Sequence, residues 1–293
     1  MIDANQKYST EMSMTIPLSV FILTYNSEPD IESSLKSVTG WADEVFIVDS
    51  FSTDRTIEIA KQYTQNIYYN QFKNYAIQRN WAMENLPIRN EWVLHLDADE
   101  SLTPELRDEI SGLIPDNTNG IDGFNIKRRF IFFGRWLKHG GNYPQIELRL
   151  WKRNTARVID AGAMEYIAVR GKVGTLRNDM LHENRRGISA WITKVNMVSD
   201  WEAEELITGA GLARLRSANE EEHIELAKTR WLRIHVWNRL PVFVRPFLLF
   251  FFKYIVKLGF LDGIPGFIYC SLMHYGYHFL VSTKFKEKQL NKI

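Results

Sequence analysis

In the stretch WVLHLDADES, residues 92–101, an apolar run of Trp92, Val93, Leu94 and Leu96 passes without a break into Asp97, Asp99 and Glu100. Three carboxylates this close repel one another and raise each other's pKa values unless a cation stands among them. Asp97 and Asp99 are two residues apart where a strand must turn, so both can address one hard ion. Carboxylate oxygens suit Mg²⁺ or Mn²⁺, which in turn bridges to the phosphate oxygens of a ligand. A bare Asp-x-Asp is common, and acids at a strand end also serve as turn and capping residues. The core strand leading into a third acid is what sets this pair apart.

The elements that must position these acids are legible on either side. IPLSVFILTYN (16–26) is a short run rich in β-branched and aromatic residues and reads as a buried strand. Ile31, Leu35 and Val38 then recur at helical spacing, and ADEVFIVDS (42–50) reads as a second strand. Asp54 can cap the helix that follows, NIYYN (66–70) reads as a short third strand, and YAIQRNWAMEN (75–85) as a helix. Beyond the EWVLHLD strand, Thr103 and Pro104 form a strong helix start.

Strands alternate with helices, and the strands are continuous apolar runs. That pattern predicts an α/β, Rossmann-like, mostly parallel sheet with helices on both faces. Ligands of such sheets sit beyond the carboxyl ends of the strands. Thr24–Asn26, Asp49–Asp54 and Asp97–Glu100 should therefore converge on one crevice. After about residue 120 the chain reads as irregular strands rich in aromatics and arginine, and from about 187 helix patterns dominate.

Composition narrows the classes. The chain has 293 residues, 45% hydrophobic and 24% charged, which is ample for a large globular core. A formal net charge of +1 gives no footprint for nucleic acid, so no nucleic-acid partner is expected. One cysteine, Cys270, excludes a disulfide framework and a Cys-rich zinc site and fits a reducing compartment. Residues 1–15 are polar, lack the basic start and apolar stretch of a signal peptide, and are expected to be a flexible tail on a cytoplasmic protein.

Four segments taken together, VFILTYNSEPDIESSLKSV, ADEVFIVDSFSTDRTIEIAKQY, QRNWAMEN and WVLHLDADESLTPEL, resemble the family-2 inverting glycosyltransferases of GT-A fold. The likeness is greatest to bacterial enzymes that add a sugar to the lipopolysaccharide core or a related surface glycan. It implies a GT-A catalytic domain over 16–186, with a nucleotide-sugar half at 16–119 and an acceptor half at 120–186, followed by a helical, aromatic-rich region at 187–293. It also implies a nucleotide-sugar donor, usually UDP-linked, and Mg²⁺ or Mn²⁺ held at Asp97 and Asp99.

By the same resemblance Thr24, Tyr25 and Asn26 border the nucleotide, Asp49 contacts the uracil side, and Asp54 matches the last acid of the family's VDDGSTDGT motif. Ser50 and Phe51 depart from that motif, so one carboxylate expected near the base is missing. Arg79 and Asn80 match an Arg-Asn pair near the donor, although a solvated helix face is the plain alternative for Arg79. Inverting transfer needs a general base across the crevice from the metal. Glu165, in AGAMEYI, stands where the family carries that acid, with Met164 in place of a frequent His; Asp160 and Glu147 compete for the role. His182 occupies a position that implies a third metal ligand or a diphosphate contact, with a structural, backbone-bonded histidine equally open. Arg149 could hold a phosphate or an ion-pair partner.

Residues 241–283 are strongly apolar and aromatic, but Arg245, Lys253, Lys257 and Asp262 interrupt the first half. A bilayer-spanning helix needs about 20 apolar residues without central charges. The expectation is an amphipathic element in the interface of an anionic membrane, with Trp231, Trp237, Tyr254, Tyr269, Tyr275 and Tyr277 at headgroup level. A core helix pair is the alternative. Peripheral attachment to the inner face of the cytoplasmic membrane would suit a lipid-linked acceptor.

Two other functions compete with this one. A sugar-phosphate nucleotidyltransferase needs a Gly-rich loop after the first strand, and ILTYNSEPD has no glycine. A catalytically inactive module binding a nucleotide or glycan would require Asp97 and Asp99 to hold no metal.

Overall fold

The apolar runs become parallel strands because each is covered on both faces. The computed structural model describes residues 15–114, 120–160, 165–208 and 240–290. The tail at 1–14, Met164 and all of 209–239, Trp231 and Trp237 included, fall outside them. The chain alternates β1 (Ile16–Thr24), α1 (Ile31–Lys36), β2 (Ala42–Asp49), α2 (Thr56–Ala60), β3 (Ile67–Tyr69), α3 (Tyr75–Asn85) and β4 (Trp92–Asp97). Successive strand residues point to opposite faces. Leu18, Val20, Ile22, Leu94 and Leu96 pack against Ile31 and Leu35 of α1, with Leu106 and Ile110 of α4 (Pro104–Leu113) in the same core. Phe21, Phe46, Val48 and Val93 pack on the other side with Ala82 and Leu86 from α3 and its end. Thr103 Oγ1 accepts from the Leu106 amide at 3.2 Å, so α4 begins where its cap and Pro104 placed it.

The second half extends the same sheet. It contains β5 (Glu100–Leu102), β6 (Ile121–Phe132), β7 (Arg135–Trp136), β8 (Gln145–Lys152) and β11 (Lys172–Glu183), in the strand order β3-β2-β1-β4-β8-β6-β11-β5 with β7 on β6. The ladders among β1–β4 are parallel, whereas β8 runs antiparallel to both β4 and β6. β9 (Ala156–Asp160) and β10 (Glu165–Val169) form a separate antiparallel pair. The irregular arginine-rich strands expected after 120 are thus long ladder strands, and β5, three residues long, is a strand that sequence reading missed. β5 matters to the site, because its antiparallel pairing sets His182 opposite Glu100.

Beyond β11 lie α5 (Gly187–Thr208), α6 (Arg245–Phe251), α7 (Gly263–Tyr269) and α8 (His278–Leu290). No helix among the described residues is long and apolar enough to cross a membrane. Lys284 of α8 pairs with Asp200 of α5 at 2.8 Å, and Lys288 with Glu204 at 2.7 Å. Asp262, almost fully buried, accepts from the amides of Lys138 and His139 at 3.2 and 2.9 Å and pairs with His139 Nδ1 at 2.7 Å. The C-terminal helices are therefore fastened to the loop that follows β7. Tyr269 and Tyr277, expected at headgroup level, are buried: Tyr269 packs on Phe130 and Phe132, and the Tyr277 hydroxyl bonds Glu202. The Tyr269 ring lies in the seam between these helices and β6, and Tyr277 lies between helices.

Candidate active site

The first two strand ends interlock through side chains. Asp49, fully buried, accepts from the Ser52 amide at 2.8 Å and the Ser52 hydroxyl at 2.5 Å. Ser52 Oγ in turn accepts from the Asn26 amide, and Asn26 Oδ1 from the Thr53 amide, both at 2.8 Å. Asp54 takes the amides of Glu28 and Thr56 at 3.1 and 3.0 Å, so it serves the start of α2 as expected and also holds the β1 loop. Thr24 is buried at the end of β1, and Tyr25 is exposed beside it.

The end of β4 carries an ion cluster that spacing alone did not reveal. His95 and Asp97 lie on one face of the strand, and β8 presents Arg149 to them one step beyond the Leu94–Leu150 pair. Arg149 Nη2 lies 2.9 Å from Asp97 Oδ2 and 2.7 Å from Glu100 Oε1. Arg79 of α3 reaches Asp97 Oδ1 at 3.1 Å, and Arg128 of β6 reaches Glu100 at 3.1 Å. Glu100 Oε2 also accepts from the Asp97 amide at 3.0 Å. Burial would raise the Asp97 pKa, but Arg149 and Arg79 outweigh it and hold the carboxyl well below its ordinary range. Burial, with the two guanidiniums, pushes His95 down to about 3, so its ring stays neutral. Arg149 Nη1 approaches Nδ1 at 2.5 Å, Arg79 Nε approaches Nε2 at 3.2 Å, and Nε2 stands 3.4 Å from Asp97 Oδ1.

Asp99 faces a different set. His182 Nε2 stands 3.3 Å from Asp99 Oδ2, Asn184 Nδ2 donates to the same oxygen at 3.0 Å, and Arg186 Nη2 lies 3.9 Å away. Burial opposes the Asp99 charge, but His182 overcomes it and its pKa is depressed. Arg186 Nε also stands 3.3 Å from Asp30 Oδ2, and Asp30 Oδ1 accepts from the Arg185 amide at 2.7 Å. Lys194 of α5 lies 5.8 Å from the Tyr75 ring centroid, and Arg79 lies 5.8 Å from the same ring. Burial works against the Lys194 charge, and Tyr75, Asp99 and Asp97 more than offset it.

No group of three or more His, Cys, Asp or Glu side chains stands ready to enclose a metal among the described residues. Asp99 and His182 nonetheless fit one. They offer a carboxylate and an imidazole side by side, and His182 Nδ1 is buried without a hydrogen-bond partner. A hard divalent ion is commonly held by one or two carboxylates, with the remaining positions left to water and substrate phosphates. Asp97, expected as the other ligand, has both oxygens paired to arginine.

The base candidates lie on β9 and β10, where the ladder makes Asp160 and Glu165 direct partners. Asn80 fixes that region: its amide donates to the Val158 carbonyl at 2.8 Å and accepts from the Val158 amide at 2.9 Å. Glu147, on β8, is half-buried and pairs with Arg128 at 3.5 Å. An open pocket lined by Asn80, Val93, Trp151 and Arg153 lies at the start of β4, at the opposite end of the strand from Asp97. Sequence reading passed over His95, Asn184, Arg186, Asp30 and Lys194. Only His95 carried a signal, as a polar residue two before Asp97 in an apolar strand.

The sheet has an α/β architecture in which acids, arginines and a histidine gather at the carboxyl end of β4, where sheets of this class bind their ligands. The model of glycosyl transferase family 2 matches residues 19–168, and the chain belongs to that family. It is 26% identical over 293 residues to an uncharacterized glycosyltransferase of Rickettsia conorii, covering 95% of this chain and 93% of that one. With one of Rickettsia typhi it shares 28% identity over 258 residues, 84% and 82% of the two chains. Among solved structures, Staphylococcus aureus TarS (residues 1–349) is 17% identical at a TM-score of 0.42, covering 95% of this chain and 92% of that one. Mycobacterium tuberculosis glucosyl-3-phosphoglycerate synthase, solved with Mg²⁺ and UDP, is 15% identical at a TM-score of 0.43, covering 69% and 80%.

Proposed function

We propose that the protein is a metal-assisted, inverting hexosyltransferase that takes its sugar from a nucleotide-linked donor, UDP-linked by family resemblance. Its proposed acceptor is a lipid-linked glycan such as a lipopolysaccharide core. The observation that carries the reading is the Asp99–His182 pair, 3.3 Å apart, beside an Asp97 held in place by two arginines. A divalent ion held by Asp99 and His182 would neutralise charge developing on the leaving diphosphate. Arg79 and Arg149 keep Asp97 ionised and fixed at the crevice wall, and His95, neutral between them, adds no competing charge. Lys194 brings a further cation toward the same acids from α5, placed to meet a phosphate. Glu165, with Asp160 opposite it in the ladder, supplies the base that takes the acceptor proton as its oxygen attacks the anomeric carbon.

The C-terminal helices support peripheral attachment to an anionic membrane. Fifteen of the twenty-four exposed large apolar side chains among the described residues lie in 243–290, including Phe247, Phe251, Ile264 and Phe267. Arg245, Lys253 and Lys257 are interspersed with them. The Asp262–His139 contact would pass that orientation on to the loop after β7.

The test is a donor-hydrolysis screen over UDP-, GDP- and ADP-sugars, run with Mn²⁺ and with EDTA. Release of a nucleoside diphosphate that requires the metal supports the transferase. Metal-independent glycan binding without hydrolysis points instead to an inactive binding module.

A further inference from the structure

The loop after β2 carries an aromatic residue in a backbone conformation that suits glycine. Phe51 has φ 64°, a region that L side chains rarely adopt and bulky ones least of all. Burial does not explain the choice, because the Phe51 side chain remains 53% exposed. Its ring stacks on Tyr69, with centroids 5.7 Å apart and planes inclined by 28°, and Tyr69 is itself 48% exposed. Two half-bare rings thus form one aromatic surface at the carboxyl ends of β2 and β3.

A buried polar network holds both flanks of that surface. Gln78 of α3, almost fully buried, donates to Ser50 Oγ at 3.1 Å, just before Phe51, and to the Asn70 carbonyl at 3.3 Å, just after Tyr69. Asn70 Nδ2 returns a bond to Gln78 Oε1 at 2.8 Å, and the Asn70 amide donates to the Asp49 carbonyl at 3.0 Å. Ser52, on the other side of Phe51, is tied to both Asp49 and Asn26. The loop is therefore preorganised around a strained residue that buries little. Strain maintained by its surroundings is a mark of a functional position.

We propose that Phe51 and Tyr69 form a stacking platform for the nucleobase of the donor. The inference rests on the nucleotide-donor reading above and deepens it. The platform adjoins the Asn26 loop and lies at the same strand ends as Asp97, so a base on it leaves the diphosphate to run toward Asp99 and Lys194. A flat heterocycle is the ligand that matches two exposed, nearly parallel rings, and aromatic stacking accepts the face of any base. At position 50, where the family carries a carboxylate, the serine hydroxyl is already engaged by Gln78.

The experiment compares wild type, Phe51→Gly, Phe51→Tyr and Tyr69→Ala by calorimetric titration with UDP and, separately, with pyrophosphate, both in Mg²⁺, alongside thermal melting. Phe51→Gly relieves the positive φ, so its melting temperature should equal or exceed that of wild type. Its UDP affinity should fall about tenfold or more, the effect of removing one stacking ring, while pyrophosphate affinity holds. Tyr69→Ala should lose UDP affinity in the same way, and Phe51→Tyr should stay within about threefold of wild type. UDP binding by Phe51→Gly at the wild-type level overturns the platform and leaves the donor reading standing, as does an equal loss of UDP and pyrophosphate binding. A wild-type protein that binds pyrophosphate but no nucleoside diphosphate overturns both.

Discussion

Arg149 Nη2 lies between two carboxylates, 2.9 Å from Asp97 Oδ2 and 2.7 Å from Glu100 Oε1, so one donor group joins the end of β4 to the start of β5. Both Arg149 and Glu100 are almost wholly buried. Removing one partner of a buried pair leaves an uncompensated charge, which costs about 3–5 kcal/mol. Arg149→Met should lower the unfolding free energy by that order in urea denaturation. Arg149→Lys should recover only part of it, because a lysine cannot span both acids in the plane of a guanidinium.

Asp99, beside His182, is the proposed metal ligand. Asp99→Asn should abolish Mn²⁺-dependent donor hydrolysis while leaving the circular dichroism spectrum unchanged. EDTA should have the same effect on wild type, reversed by excess Mn²⁺. Full turnover in EDTA contradicts the metal-assisted reading.

The two base candidates are register partners, so substitution separates them more cleanly than position does. Glu165→Gln should reduce kcat by roughly two to four orders of magnitude, the usual share of general-base catalysis, with little change in donor binding. A near-normal Glu165→Gln beside a dead Asp160→Asn assigns the base to Asp160.

Asp30 has a pKa raised to about 6, chiefly by burial. A carboxyl raised above its unfolded value of 3.8 binds its proton more tightly in the folded chain. Folding is therefore favoured while Asp30 is protonated, and that contribution is lost as pH rises from about 4 to about 6. Asp30→Asn keeps an acceptor for the Arg185 amide and removes the charge. It should flatten stability against pH across that window and stabilise the protein at pH 7 by up to about 3 kcal/mol, measured by urea denaturation at several pH values.

The exposed apolar side chains of the C-terminal helices predict vesicle binding. The full chain should float with vesicles containing anionic lipid and be partly released by high salt, since each basic group near the surface adds about 1 kcal/mol. Phe247→Glu combined with Phe251→Glu should abolish flotation without changing the melting temperature, as both side chains are exposed. A full-length chain that stays at the bottom of the gradient ends the peripheral-membrane reading.

Local chemistry determined a good deal of this protein. The strands β1, β2 and β4, the helix at 75–85 and the Thr103 cap were legible because burial on both faces demands unbroken apolar runs and because caps are short-range hydrogen bonds. The clustering of acids at the end of β4 was equally plain. What those acids do was decided in three dimensions. Asp97 meets Arg79 from eighteen residues away and Arg149 from fifty-two, and the latter meeting depends on the antiparallel register of β8 against β4. A shift of one residue in that ladder would turn Arg149 to the other face, because side chains alternate with period two. Asp99 finds His182 only because β5, too short to declare itself by periodicity, pairs with β11. Three successive-looking acids thus take three different surroundings: Asp97 lies between arginines, Asp99 beside a histidine, and Glu100 is buried in an ion pair. Sequence supplies the charges, but the register of distant strands sets which charge each one faces.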